Sequence, residues 1–235
     1  MREYFNVGER VISAGDADIE REDGSWDVPD IGVGRDYHGS AAFVVYDMED
    51  IDREFLMRVS ARKYNEPLVI TMTERFIVRE MAVSDLPECY RMYDELKDCP
   101  YIEPLYDYEE EKIFTEKYIE NMYGFFGYGL WLVFTREEED KCGELVARIG
   151  IENRSIDGKN CQELGYLVKK SWQKKHVASE VCSAVISLAK DELGLEELYI
   201  CADKKNIPSI CLAEKMGFIL YAADVDGMNL YRKIL

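Results

Sequence analysis

The residues best able to do chemistry lie between Glu163 and Ser209. Gln173, Lys174, Lys175, His176, Val177, Ala178 and Ser179 lead from a polar loop into an apolar-periodic segment. There Val177, Val181, Val185 and Leu188 recur at steps of three or four, with Ala184 and Ala189 beside them. That spacing predicts an amphipathic helix, stopped by Gly194. The first turn of a helix has amide hydrogens without intrahelical partners, and the aligned peptide dipoles add partial positive charge there. Lys174 and Lys175 bring full charges to the same end. Residues 173–179 are therefore suited to an anionic group such as a phosphate. Upstream, Glu163 and Tyr166 put a carboxylate and a phenol on one short apolar and aromatic run.

Holding these groups needs a strand over residues 163–168, a basic loop over 169–175, the helix, and a second strand through Leu198, Tyr199, Ile200 and Cys201. A short helix follows, entered at Asn206 and Pro208 and closed by Gly217, which suits a left-handed C-terminal cap.

In order and spacing this segment resembles the cofactor-binding half of the GNAT superfamily, the acetyl-CoA-dependent N-acyltransferases. Within it, the likeness is to the branch that acylates ribosomal-protein N-termini and antibiotics. The family's Gln/Arg-x-x-Gly-x-Gly/Ala junction is matched by Gln173 to Ala178, and its Glu-x-Gly-Tyr by Glu163, Gly165 and Tyr166. Asn206, Ser209 and Glu214-Lys215-Met216-Gly217-Phe218 match its closing pattern.

The resemblance covers residues 75–235. It implies an α/β fold with a mixed, mostly antiparallel central sheet and helices on both faces. It also implies acetyl-CoA as acyl donor and a primary amine, on a small cationic molecule or a peptide, as acceptor. By the same resemblance, the amides of Leu167 and Val168 would pair with the pantetheine arm, and one would polarise the thioester carbonyl. Residues 174–179 would take the pyrophosphate, with Asn206 and Ser209 lining the far side of the arm. Glu163 stands where relatives carry a general base; a strand-edge carboxylate paired with a Lys or Arg is the equal alternative. Two positions depart from the pattern. His176 replaces a glycine, and Ala213 replaces the tyrosine that protonates the departing thiolate, leaving Tyr166, Tyr221 and Tyr231 as substitutes. A catalytically inactive CoA-binding or interaction module is the second reading, and a homodimer stays open.

The 235 residues hold 47 acids against 29 lysines and arginines, a net charge of -18. Residues 1–74 carry 17 acids and 8 bases, so the acidity is spread rather than confined to a tail. Such a field repels nucleic acid and anionic membrane, and either favours cationic partners or serves solubility. With two histidines and no Cys-x-x-Cys spacing among seven cysteines, a zinc site is not expected. No run of about 18 apolar residues and no signal-peptide pattern occur, which with reduced cysteines points to the cytoplasm.

Residues 1–72 read as an N-terminal α/β extension of unknown role, and residues 73–235 as the GNAT-like domain. In the extension, residues 1–40 suggest turns and a hairpin, and Asp16-Ala17-Asp18 a turn rather than a metal pair. Strands over 41–47 and 68–72, flanking a helix with Ile51, Phe55, Leu56 and Val59 on one face, predict a parallel strand–helix–strand unit. In the larger domain, residues 75–83 predict a strand, and Asp85 a cap for a helix carrying Pro87 in its first turn. A second helix is expected over 113–122 and a hairpin from strands at 129–134 and 145–152. Between the helices, Glu103, Asp107, Glu109, Glu110 and Glu111 either form a solvated loop or offer charge to a cationic acceptor.

Overall fold

The computed structural model describes residues 2–156, 159–225 and 227–235, with the backbone alone at 156 and 159. The chain divides into two compact units, Met1–Leu68 and Val69–Leu235. In the smaller unit, β1 (Arg2–Val7) and β2 (Arg10–Gly15) form an antiparallel hairpin. After the short strands β3 (Ile19–Glu20) and β4 (Trp26–Asp27), β5 (Ile31–Val33) and β6 (Phe43–Val45) add in parallel, giving the order β1-β2-β5-β6. Helix α1 (Arg53–Lys63) is capped by Asp52, whose side chain accepts from the Phe55 amide. Its Val59 packs with Ile12, Ala14 and Ile31, and Ile51, Phe55 and Leu56 close around them. Asp18 is bound into the surrounding turns, accepting from the Tyr37 hydroxyl and the Ser40 amide.

The expected parallel partner of β6 is not there. Residues 69–72 form β7 (Val69–Met72), which pairs antiparallel with β8 (Phe76–Arg79) as the edge of the larger sheet. Strand type and boundaries are local properties, whereas the choice of sheet is not, so the sequence could supply the first without the second.

The larger unit continues with α2 (Leu86–Asp94), α3 (Tyr108–Tyr118) and a wide-turn helical segment, Ile119–Phe126. Strands β9 (Leu130–Arg136), β10 (Cys142–Ile156) and β11 (Lys159–Val168) lead into α4 (Val177–Asp191) and β12 (Glu197–Asp203). Helix α5 (Ile207–Lys215) and the hairpin β13 (Ile219–Val225) and β14 (Met228–Ile234) end the chain. The eight strands run in the order β13-β14-β12-β11-β10-β9-β8-β7, with β11 and β12 parallel and the other neighbours antiparallel. The periodic face of α4, from Val177 through Val181, Val185 and Leu188 to Ala189, is buried in the core with Trp131, Ile149 and Ile151. Each fully buried aliphatic side chain there contributes roughly 1.5–3 kcal/mol.

Asp85 does not cap α2. Its carboxylate takes the Arg79 guanidinium in a two-bond fork at 2.7 and 2.8 Å and the Ala82 amide at 2.7 Å. A guanidinium within reach offers two charge-assisted bonds where a cap offers one.

Candidate active site

Strand β11 pairs with β10 along its length, including Glu163 with Glu152, Gly165 with Gly150 and Val168 with Ala147. With β12 it pairs, among the described residues, at one position, Glu163 with Tyr199. Beyond that point the two parallel strands fork. The Lys169 amide donates to Val146 O at 2.9 Å, and backbone groups alternate sides along an antiparallel ladder. Gly165 and Leu167 therefore also face β10, while the amides of Tyr166 and Val168 face the fork. Of the two amides expected to serve an extended ligand, that of Val168 faces the fork and that of Leu167 faces β10. Gln173 reaches back over the fork, its Nε2 donating to Val168 O at 3.2 Å.

Glu163 stands at the root of the fork. Its Oε1 accepts from the Cys201 amide of β12 at 3.2 Å, and its Oε2 pairs with Arg154 Nη1 of β10 at 2.8 Å. The carboxylate thus takes the β12 amide that a continued ladder would have given to backbone, and ties three strands together. Its side chain is 16% exposed. The bond to Glu163 raises the Arg154 pKa. Burial, then the Glu163 charge, pushes the Cys201 thiol up to about 12, so the thiol stays neutral. Between base and paired strand-edge carboxylate, the ion pair is what Glu163 makes here.

Tyr166 lies on the other face of β11, because side chains alternate along a strand. Its hydroxyl donates to Ser209 O at 3.1 Å and sits 2.8 Å from Ser209 Oγ. Burial pushes it up to about 12, so it holds its proton at neutral pH. Asn206 caps α5, its Oδ1 accepting from the Ser209 amide at 3.3 Å. One turn on, Ala213 is fully buried. Tyr166 therefore brings a phenol to the helix that lacks one at residue 213. Tyr221 is half exposed on β13, and Tyr231 is buried opposite Ile200.

At the open end of the fork the loop enters α4 through two left-handed residues, Lys174 at φ 61° and His176 at φ 63°. Each costs about 1–2 kcal/mol without a glycine. Arg75 braces the turn, donating to Lys175 O at 3.1 Å while pairing with Glu180 at 2.7 Å. Burial works against the Glu180 charge, but bonds from Thr73 and Arg75 outweigh it and hold its carboxyl below the ordinary range. His176 is the N-cap residue and makes no side-chain cap, so no side chain of the cap covers the first-turn amides of Val177, Ala178 and Ser179. The Ser179 hydroxyl is spent on His176 O at 3.0 Å. Lys174 is exposed, and Lys175 rests its ammonium 4.6 Å above the Trp172 ring. An uncapped helix start, left-handed turns and two lysines, continuous with outward-facing strand amides, fit a pyrophosphate followed by an amide-bearing arm.

The face of β10 and β11 that carries Glu163 also carries Arg148, Gly150, Glu152 and Arg154, since register partners share a face. Glu152 was not among the sequence candidates. Its Oε1 accepts from the Tyr118 hydroxyl of α3 at 3.0 Å, and that hydroxyl in turn accepts from the Leu130 amide at 2.7 Å. Burial, then the Glu152 charge, pushes Tyr118 well above the ordinary tyrosine range. Charged residues at 148, 152 and 154, on one face of a strand whose other face carries Ile149 and Ile151, were the available signal. The acidic link is smaller than the sequence suggested. Glu109, Glu110 and Glu111 belong to the first turn of α3, and buried Glu111 accepts from the Tyr106 amide at 3.0 Å, leaving Glu103 and Asp107 in the link.

A family model for the acetyltransferase (GNAT) domain matches residues 75–219. YdaF of Bacillus subtilis, named as a candidate ribosomal N-acetyltransferase, is 31% identical over 87 residues, 37% of this chain and 46% of the relative. The N-acetyltransferase YnaD of the same organism is 25% identical over 146 residues, 62% of this chain and 79% of the relative. The chain thus spans about half the length of the first relative. Among solved structures, the ribosomal α-N-protein acetyltransferase RimL in complex with coenzyme A superposes at a TM-score of 0.59 and 17% identity, over 72% of this chain and 98% of that one. That likeness is one of fold: a mixed sheet with helices on both faces. The family uses acetyl-CoA, and by the matched domain this chain belongs to the GNAT acetyltransferase family.

Proposed function

We propose that this protein binds acetyl-CoA along the β11–β12 fork and transfers the acetyl group to a primary amine of a cationic small molecule or a peptide. The observation that carries this is the fork itself, with free amides along one arm and an uncapped helix start at its open end. Lys174, Lys175 and the amides of residues 177–179 hold the pyrophosphate, and the Val168 amide orients the thioester. Bound acetyl-CoA supplies an acetyl group activated for attack by nitrogen. Carboxylates on the acceptor side, Glu152 and Glu163, favour an incoming ammonium, and one of them takes its proton. Acceptors of this kind agree with the acidic net charge and with relatives named for ribosomal proteins.

Tyr166 holds the proton that the departing sulfur needs, the role that Ala213 leaves vacant, and this favours catalysis over an inactive binding module. Tyr166→Phe is therefore expected to lower kcat about 10²-fold while acetyl-CoA affinity stays within a few-fold. The test is calorimetry with acetyl-CoA and dephospho-CoA, then thiol release across a panel of amines and basic peptides. Absence of saturable heat at millimolar acetyl-CoA would sink the reading.

A further inference from the structure

Resting on the acetyltransferase reading, we infer that Glu152, rather than Glu163, is the carboxylate that takes the proton from the acceptor amine. Both lie on the acceptor face, opposite one another in the β10–β11 ladder, so both can meet a bound ammonium. Their oxygens differ. Glu163 has Oε1 on the Cys201 amide and Oε2 on Arg154, so protonating it would cost one of the bonds that close the fork. Glu152 has Oε1 fixed by Tyr118, and Oε2 has no hydrogen-bond partner among the described residues. A base needs a fixed orientation and one open lone pair, and Glu152 has both.

Of the charges on that face, buried Arg148 lies 5.7 Å from the Tyr118 ring centre and donates to the Tyr93 hydroxyl at 3.3 Å rather than to Glu152. Arg154 is spent on Glu163, and Glu103 of the acceptor link bears on Arg154 in turn. From α3, Tyr118 presents a donor that keeps its proton and holds the carboxylate still. In the step itself, an N–H proton passes from the ammonium nitrogen to Glu152 Oε2, and the electron pair left on nitrogen becomes the nucleophile. Glu163 is a positioning residue, which keeps β11 and β12 joined below that point and apart above it.

The experiment compares E152Q and E163Q in the full chain by acetyl-CoA calorimetry, thermal unfolding and pH–rate profiles on a primary amine. E152Q keeps the Tyr118 bond, so melting and acetyl-CoA affinity should match the parent. Its kcat should fall by 10²–10⁴ near neutral pH, recovering as pH rises and the amine arrives already neutral. E163Q, which loses the Arg154 ion pair, should melt lower and bind acetyl-CoA more weakly, with the parent's pH–rate shape retained. Near-parent turnover in E152Q overturns the assignment. So does an E163Q variant with normal melting and affinity whose turnover has collapsed. A parent protein that binds acetyl-CoA but acetylates no amine overturns the acetyltransferase reading and this assignment with it, an outcome distinct from either variant result.

Discussion

Ala178→Asp is expected to abolish acetyl-CoA binding and leave the fold intact. Residue 178 is in the first turn of α4, at a helix start whose amides no side chain caps. A carboxylate there would meet a pyrophosphate held at that start with like charge. At about 4 Å and an effective dielectric near 20 the repulsion is of order 4 kcal/mol, close to a thousandfold in affinity. Folding should not suffer, because an aspartate near a helix N-terminus is stabilising by about 0.3–1 kcal/mol. Calorimetry and thermal melting on one preparation separate the two effects. The neutral variant Ala178→Asn should bind within about tenfold of the parent, and a similar loss in both would show that bulk rather than charge is responsible.

The largest expected loss of stability is for Gly150→Ala. A β-carbon at residue 150 would lie 2.0 Å from the Gly129 carbonyl oxygen and 2.8 Å from Leu130 Cα. Those atoms cannot yield, because Gly129 O also accepts from the Ile151 amide at 3.0 Å and fixes the entry to β9. A clash with backbone in a packed sheet should cost on the order of 3 kcal/mol. Urea unfolding would show this as a lower midpoint at unchanged slope. The neighbouring Gly165→Ala would meet Leu130 Cδ2, a side-chain atom, at 3.0 Å and should be tolerated far better. Equal losses in the two would mean that the chain crossing above residue 150 is not rigid.

Helix α4 was legible in the sequence because a 3.6-residue period survives any choice of neighbours. Its anion-suited start was legible because unpaired amides follow from helix geometry alone. Glu163 could be found, but its partners could not. Arg154 and the Cys201 amide come from two other strands, and their approach depends on a register that no local pattern encodes. Glu152 went unnoticed for the same reason, since it gains meaning only through Tyr118 and the strand opposite. The reading of β7 failed at the level of topology, and that of Asp85 because Arg79, six residues away, competed for the carboxylate. His176 was recognised as a glycine substitute, and the chain accepts the left-handed turn rather than avoiding it.

A sheet ordinarily has two edges, and the fork opens two more in its middle, one along each arm. Unpaired backbone at an edge exchanges its amide hydrogens with solvent and offers a template to any extended chain. Hydrogen exchange should therefore run in alternation along one strand of the unliganded protein. Tyr166 and Val168 should exchange fast, while Gly165 and Leu167, turned toward β10, exchange slowly. Acetyl-CoA lying along the inner edge should slow the fast pair and leave the slow pair as they were. The same edge would accept a β-strand from another polypeptide, so an occupied fork also guards the sheet against pairing with a stranger.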